Sequence, residues 1–163
     1  MKIQKIYLDM DGVLTDFDER YISLFDRNTD EDRKNKEFSK NWEIFVKSKQ
    51  FATLDWFPGG QALVTYLRQF TIPVEILSSS GGERFHKEVA EQKSLWLKRH
   101  SLGYKPNVVP GRKYKKDFAK PGVILIDDMK DVIDSFNAAG GIGILHKNIG
   151  ETLEKLEKLL EKH

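Results

Sequence analysis

The sequence predicts an α/β fold, a doubly wound parallel sheet with a small helical cap inserted after the first strand. Three observations carry that prediction. Five short apolar runs alternate with segments of helical periodicity, the pattern of strand–helix–strand units on a parallel sheet. Most of the runs end abruptly in Asp, Ser or Gly, as strands do when their carboxyl ends open onto a crevice. One stretch between the first and second runs, first charged and then aromatic, breaks the rhythm.

The first strand is the run 3–8, interrupted only by Gln4 and Lys5, and it ends in Asp9, Asp11 and Gly12. Residues 28–57 form the expected insert: charged to Lys40, then dense in aromatics at Trp42, Phe45, Phe51, Trp56 and Phe57. About 30 residues bury little core of their own, so this insert is expected to dock over the crevice as a cap. The core domain is then 1–27 and 58–163, and the cap 28–57. A helical pattern at 60–70 leads to a second strand, 73–77, followed by Ser78-Ser79-Ser80-Gly81-Gly82. A helix is expected over 83–100, a third strand over 107–109 before Pro110-Gly111, and a short helix opening on the lysines that follow. The fourth strand, 123–126, ends in Asp127-Asp128; a helix over 129–139 and a fifth strand, 142–145, come next. The last segment, 149–162, is amphipathic, with Leu153, Leu156, Leu159 and Leu160 on one face and Glu151–Lys155 and Glu154–Lys158 spaced i, i+4. It is expected to cover the sheet.

The 163 residues make one domain, or one domain with a small insert. A formal net charge of +2 rules out the global basic field of a nucleic-acid coat protein. The absence of cysteine rules out disulfides, thiolate catalysis and a Cys-ligated zinc site. No apolar run approaches the ~18 residues of a membrane span. The chain reads as soluble and cytoplasmic, without a membrane partner, as a monomer or a homodimer.

Three strand ends therefore deliver chemistry to one edge. The first brings Asp9 and Asp11, the second Ser78 and Ser79 beside a glycine pair whose amides can donate to a phosphate, and the fourth Asp127 and Asp128. Carboxylates this close repel unless a cation or a shared proton compensates, and Mg²⁺, which takes oxygen ligands and leaves positions for substrate phosphate, is the natural compensator. The cluster Arg112, Lys113, Lys115, Lys116 lies just upstream of the fourth strand. Carboxylates, hydroxyls and an ammonium converging on one edge suit phosphoryl transfer, with one carboxylate attacking phosphorus. Taken singly, Asp-x-Asp-Gly is a turn, Ser-Ser-Ser-Gly-Gly a flexible loop, Asp127-Asp128 a helix cap, and the lysine run a solvated surface. Their order along the chain is what points to a site.

Those motifs, Asp9-Met10-Asp11-Gly12-Val13, Ser78, a lysine and Ile126-Asp127-Asp128, resemble the haloacid dehalogenase-like hydrolases. Within them the chain looks most like the 5'(3')-deoxyribonucleotidase branch (5'-nucleotidase, deoxy, pyrimidine, cytosolic type C). The supporting stretches are Leu14-Thr15-Asp16-Phe17, Phe57-Pro58-Gly59-Gly60, Lys93-Ser94-Leu95-Trp96-Leu97, Leu125-Ile126-Asp127-Asp128 and Ala139-Gly140-Gly141-Ile142-Gly143-Ile144-Leu145. The resemblance implies a Rossmann-like core and a phosphomonoesterase. It implies that Asp9 is the nucleophile and a metal ligand. Asp11 would be the general acid and base, with its backbone carbonyl on the metal. Ser78 and Ser79 would bind phosphate, a lysine would do the same, and Asp127 and Asp128 would anchor Mg²⁺. Lys115 fits the lysine's place best; Lys113 and Lys116 are its rivals.

Base–aromatic stacking is worth about 1–3 kcal/mol, and an aromatic-rich cap therefore favours a nucleoside monophosphate as substrate. Phe17, Trp42, Phe45, Phe51 and Trp56 are the candidate stacking residues. Alternatives with the same chemistry are a 3'-phosphatase on nucleic-acid ends, using Arg112, Lys113, Lys116 and Lys120 along a backbone, and a sugar-phosphate phosphatase. A phosphomutase would need a larger cap. An alternative of another class is a non-catalytic, Mg²⁺-dependent binding module on the same scaffold.

Overall fold

In the computed structural model, which describes residues 2–160, the five apolar runs form one all-parallel sheet. Its strands are β1 (Lys5–Leu8), β2 (Val74–Ser79), β3 (Pro106–Val109), β4 (Val123–Asp127) and β5 (Ile142–Leu145), in the order β3-β2-β1-β4-β5. The chain winds outward from β1 through β2 to β3, then crosses back to lay β4 and β5 on the other side of β1. The winding reverses between β1 and β4, and in such sheets the crevice beyond the strand ends at that reversal is where ligands bind. Register follows: Leu8 pairs with Ile76 of β2 and Ile126 of β4, which sets Asp9 level with Asp127.

Alternate residues of the strands serve two layers. Ile6, Leu8, Ile76, Ile124, Ile126 and Ile144 face a core completed by Leu63, Leu67, Val89, Trp96, Leu156 and Leu160, from α4 (Gly60–Leu67), α5 (His86–Arg99) and α7 (Ile149–Leu160). Tyr7, Leu77, Val123 and Leu125 face Val132, Ile133 and Phe136 of α6 (Lys130–Ala138). Both faces are covered, which is why the strands read as nearly continuous apolar runs. The final helix does cover the sheet through Leu156 and Leu160, and Glu154 pairs with Lys158 at 4.0 Å; its expected end at Lys162 falls outside the described residues. The segment after β3 forms a 3-10 helix, Arg112–Phe118, rather than an α-helix.

The segment between β1 and α4 holds three helices, α1 (Phe17–Phe25), α2 (Thr29–Lys34) and α3 (Phe38–Lys47), and a 3-10 turn, Gln50–Thr53. The sequence reading did not anticipate α1. It starts where the Asp16 carboxylate accepts the amide of Glu19 at 3.2 Å, and it stacks Phe17, Tyr21 and Phe25 at i, i+4 spacing along one face. Its aromatics pack across the boundary drawn at 27/28: Phe17 lies 5.0 Å from Phe45 and 5.7 Å from Phe51, centroid to centroid. Phe45 and Phe51 belong in turn to the same buried cluster as Ile6 and Leu8.

Inside the charged stretch sits a carboxylate with no access to water. Asp32 of α2 accepts the hydroxyl proton of Tyr21, accepts from Asn41 Nδ2 at 2.8 Å, and pairs with Arg27 Nε at 2.8 Å. The two connections to the core run side by side, with Asp16 N donating to Asp55 O at 2.9 Å and Phe57 N to Leu14 O at 2.8 Å. Helix α5 straps the returning segment: Gln92 donates to Val46 O (2.8 Å) and accepts from Phe51 N (3.2 Å), and Trp96 Nε1 donates to Leu54 O (2.7 Å). Among the described residues, no helix is long and apolar enough to cross a membrane.

Candidate active site

Asp9 leaves β1 with its amide on Ile126 O at 3.0 Å, and the chain then closes tightly on itself. The carbonyl of Met10 accepts from the amides of Val13, Leu14 and Thr15 at 2.8–3.0 Å. Gly12 makes that turn at φ +84°, and a Cβ there would lie 2.2 Å from Asp128 Oδ2. Only glycine combines the positive φ with so close an approach.

Carboxylate oxygens of Asp9, Asp127 and Asp128 lie within 4.8 Å of one another. Asp9 and Asp127 are buried; Asp128 is exposed as a residue, although its carboxylate rests against Gly12. Burial raises the pKa of Asp9, reinforced by the charge of Asp127 and opposed by Lys115. Loss of water raises Asp128 as well, with Asp9 and Asp127 adding to it. Both rises come first from loss of water and second from the crowding of like charge. The donor set, carboxylate oxygens with no nitrogen or sulfur among them, fits a hard divalent cation. Asp127 also caps the turn into α6, accepting from Met129 N at 2.9 Å.

Of the three candidate lysines, Lys115 enters this cluster. It is 3% exposed, and its ammonium lies 2.6 Å from Asp127 Oδ2 and 3.1 Å from Asp9 Oδ1. Burial acts to lower its pKa, but the Asp9 and Asp127 charges outweigh that and hold it above the ordinary lysine value. Lys113 and Lys116 are exposed, Lys113 over the ring of Tyr114.

Asp11 does not bring its carboxylate to the triad. Its Oδ1 accepts from Thr15 Oγ1 at 2.9 Å and its Oδ2 from Lys93 Nζ at 3.0 Å. Lys93 also donates to Ser78 Oγ at 2.6 Å, joining the serine to the acid. Neither Lys93 nor Thr15 was singled out as a site residue from sequence. Two signals were available for Lys93: its place in the stretch Lys93-Ser94-Leu95-Trp96-Leu97 that carries part of the resemblance, and its position on the face of α5 that buries Val89, Trp96 and Leu97. Ser78 lies in β2 and is buried, whereas Ser79 is partly exposed and its hydroxyl accepts the Gly81 amide at 3.1 Å, so that amide is already engaged.

The five candidate stacking residues separate. Phe17 and Trp42 are partly exposed, 5.9 Å apart, and Trp42 rests on Gly81, where a Cβ at φ +80° would come within 2.9 Å of the indole. They form the rim between the insert and the loop after β2. Phe45 and Phe51 are 0% and 1% exposed, so they are core residues with no face left for a base, a correction to the expectation. Trp56 is corrected too. It packs on Trp96 and His100 beside a separate hollow of about 310 Å³, and His100 stands about 10 Å along α5 from Lys93.

Comparison with known proteins places this geometry. A search of curated protein sequences finds no match. Among solved structures, a hydrolase from Streptococcus pneumoniae TIGR4 is similar with TM-score 0.55 and 16% identity, covering 99% of this chain and 100% of that one. A candidate haloacid dehalogenase-like hydrolase from Burkholderia xenovorans LB400 gives TM-score 0.53 and 13% identity over 98% and 100%. At such identities the likeness establishes the fold. The family model "5' nucleotidase, deoxy (Pyrimidine), cytosolic type C protein" matches residues 2–150, nearly the whole chain. The protein belongs to that family, and it is a haloacid dehalogenase-like phosphoric monoester hydrolase.

Proposed function

We propose that the protein is a Mg²⁺-dependent phosphomonoesterase that hydrolyses (deoxy)nucleoside monophosphates through an aspartyl-phosphate on Asp9. The observation that carries this reading is the arrangement at the carboxyl edge of the sheet: the Asp9–Asp127–Asp128 triad with Lys115 on one side, and Asp11 with Ser78 on the other.

Asp9, Asp127 and Asp128 would hold the cation, with the backbone carbonyl of Asp11 as a further donor. When bound, Mg²⁺ neutralises the carboxylates and the phosphoryl oxygens. An Asp9 oxygen attacks phosphorus in line while Ser78, Ser79 and Lys115 take up the charge on the phosphoryl oxygens. The P–O bond to the leaving group breaks, and protonated Asp11 gives that oxygen its proton. Asp11, now a carboxylate, takes a proton from water as the water attacks the acyl phosphate, which returns Asp9 and releases phosphate. The positions of Phe17 and Trp42 at the rim support a planar base as the rest of the substrate. The insert serves as the cap, and the contacts of α1 argue for including residues from Phe17 onward in it. A small nucleotide substrate is compatible with a cytoplasmic location and with a monomer or homodimer.

The test is phosphate release from 5'- and 3'-(deoxy)nucleoside monophosphates, sugar phosphates and 3'-phosphorylated oligonucleotides, with and without Mg²⁺, beside Asp9→Asn. Mg²⁺-dependent release from mononucleotides, abolished in the variant, is the expected result. Release confined to sugar phosphates or oligonucleotide ends would overturn the substrate. No release from any of them would overturn the enzymatic reading in favour of a binding module.

A further inference from the structure

The mechanism leaves one buried cation without a task. Lys93 is 1% exposed on the apolar face of α5, five positions beyond its first turn's Glu88, and 5.2 Å from the ring of Phe51. Burying an ammonium is costly, and an apolar side chain of similar length would occupy such a place at lower cost. Its partners are Ser78 Oγ at 2.6 Å and Asp11 Oδ2 at 3.0 Å, and a lysine ammonium has a third proton to give. The Ser78 hydroxyl accepts from Lys93, so its own proton is free to be donated, and no described residue accepts it. The other oxygen of Asp11 is fixed by Thr15.

We propose that Lys93 is a positioning residue of the active site: it turns the Ser78 hydroxyl so that its proton faces the phosphoryl group, and with Thr15 it clamps the Asp11 carboxylate in one orientation. The proposal rests on the phosphomonoesterase reading and assigns a second ammonium to it, on the opposite flank from Lys115. Lys93 acts through Ser78 and Asp11, so its loss is felt first as loss of phosphate affinity and then as loss of turnover.

The chain contains no cysteine, so Lys93→Cys can be alkylated with 2-bromoethylamine under denaturing conditions and refolded, restoring an ammonium of lysine length at this position alone. The measurements are the dissociation constant of inorganic orthophosphate by calorimetry, and KM and kcat on the best phosphomonoester. A charge-assisted hydrogen bond of about 1.5–3 kcal/mol corresponds to about 10–100-fold in affinity. Lys93→Met and unmodified Lys93→Cys are expected to weaken orthophosphate binding and raise KM by that factor, with kcat lowered as well. The aminoethylated protein should recover most of both. Ser78→Ala and Lys93→Met together should weaken orthophosphate binding no more than the worse single variant, because they break one relay.

A folded Lys93→Met protein with unchanged orthophosphate affinity would overturn the proposal, as would a loss that aminoethylation does not restore, or fully additive effects of the two substitutions. Should Lys93→Met fail to fold, the two forms of Lys93→Cys carry the same comparison. Orthophosphate binding separates the two ideas. Wild-type protein that binds it through Lys93 but releases phosphate from no substrate would sink the enzymatic reading and keep the positioning role. Wild-type protein that binds none would overturn both.

Discussion

A single missing methyl group sets the distance between the two carboxylate-bearing loops. Gly12 lets the turn after β1 approach Asp128 so closely that a Cβ would stand 2.2 Å from its carboxylate oxygen. Gly12→Ala must therefore displace Asp128 as well as strain a backbone held at φ +84°. The expected outcome is a loss of roughly 1–2 kcal/mol of stability from the left-handed backbone, read by denaturant unfolding. Activity should fall by about 100-fold or more, since misplacing a catalytic group by an ångström is enough for that. At this scale the carboxylates and Ser78 were legible in the sequence because each sits at or next to the end of an apolar run, a local signal. Lys93 was not, because its partners are 15 and 82 positions away and only the folded helix brings it to them. The aromatics were legible as a group and not one by one. Phe45 and Trp42 are three residues apart on α3, yet one is enclosed and the other rests on Gly81, a choice made by what each packs against.

Between elements, the most connected group is an acid. Asp32 gathers Tyr21 of α1, Asn41 of α3 and the intervening Arg27, so three separate pieces of the chain meet on one carboxylate. The hydrogen bond from Tyr21 comes first in holding its pKa below the ordinary carboxylate value, followed by that from Asn41. The folded protein then binds a proton at this site less readily than the unfolded chain. The stability that Asp32 contributes is present in full above the unfolded carboxylate pKa of about 3.9, and it is lost as pH falls through the lower folded value. Thermal unfolding of wild type against Asp32→Asn should show a lower Tm for the variant at neutral pH and a gap that closes below about pH 4. A gap independent of pH would mean that the contribution is packing rather than charge. From sequence this acid was hidden in a run of charges that reads as a solvated face. Helix α1 was hidden for a related reason: its nine residues carry three aromatics in i, i+4 register, but three consecutive charged residues, Asp18, Glu19 and Arg20, separate the first two. The strands and the helices that cover them were legible because their apolar periodicity is strong.

For the molecule as a whole, a cation held by the carboxylates at the ends of β1 and β4 would tie stability to metal. A ligand that binds only the folded state adds about 2.7 kcal/mol at a hundred times its Kd, or about 5–10 °C in Tm for a domain of this size. Mg²⁺ should raise Tm by that amount, chelation should reverse it, and Asp127→Asn should remove most of the response; an unchanged wild-type Tm would count against a cation at the triad. The strand order has another consequence, for the birth of the protein. The first strand made is the middle strand of the sheet, flanked by β2 and β4. Lys115 and Asp127 are synthesised 106 and 118 positions after Asp9. A chain that stops before β4 therefore holds Asp9 without Asp127, the carboxylate that shares Lys115 with it, and is expected to show no partial activity.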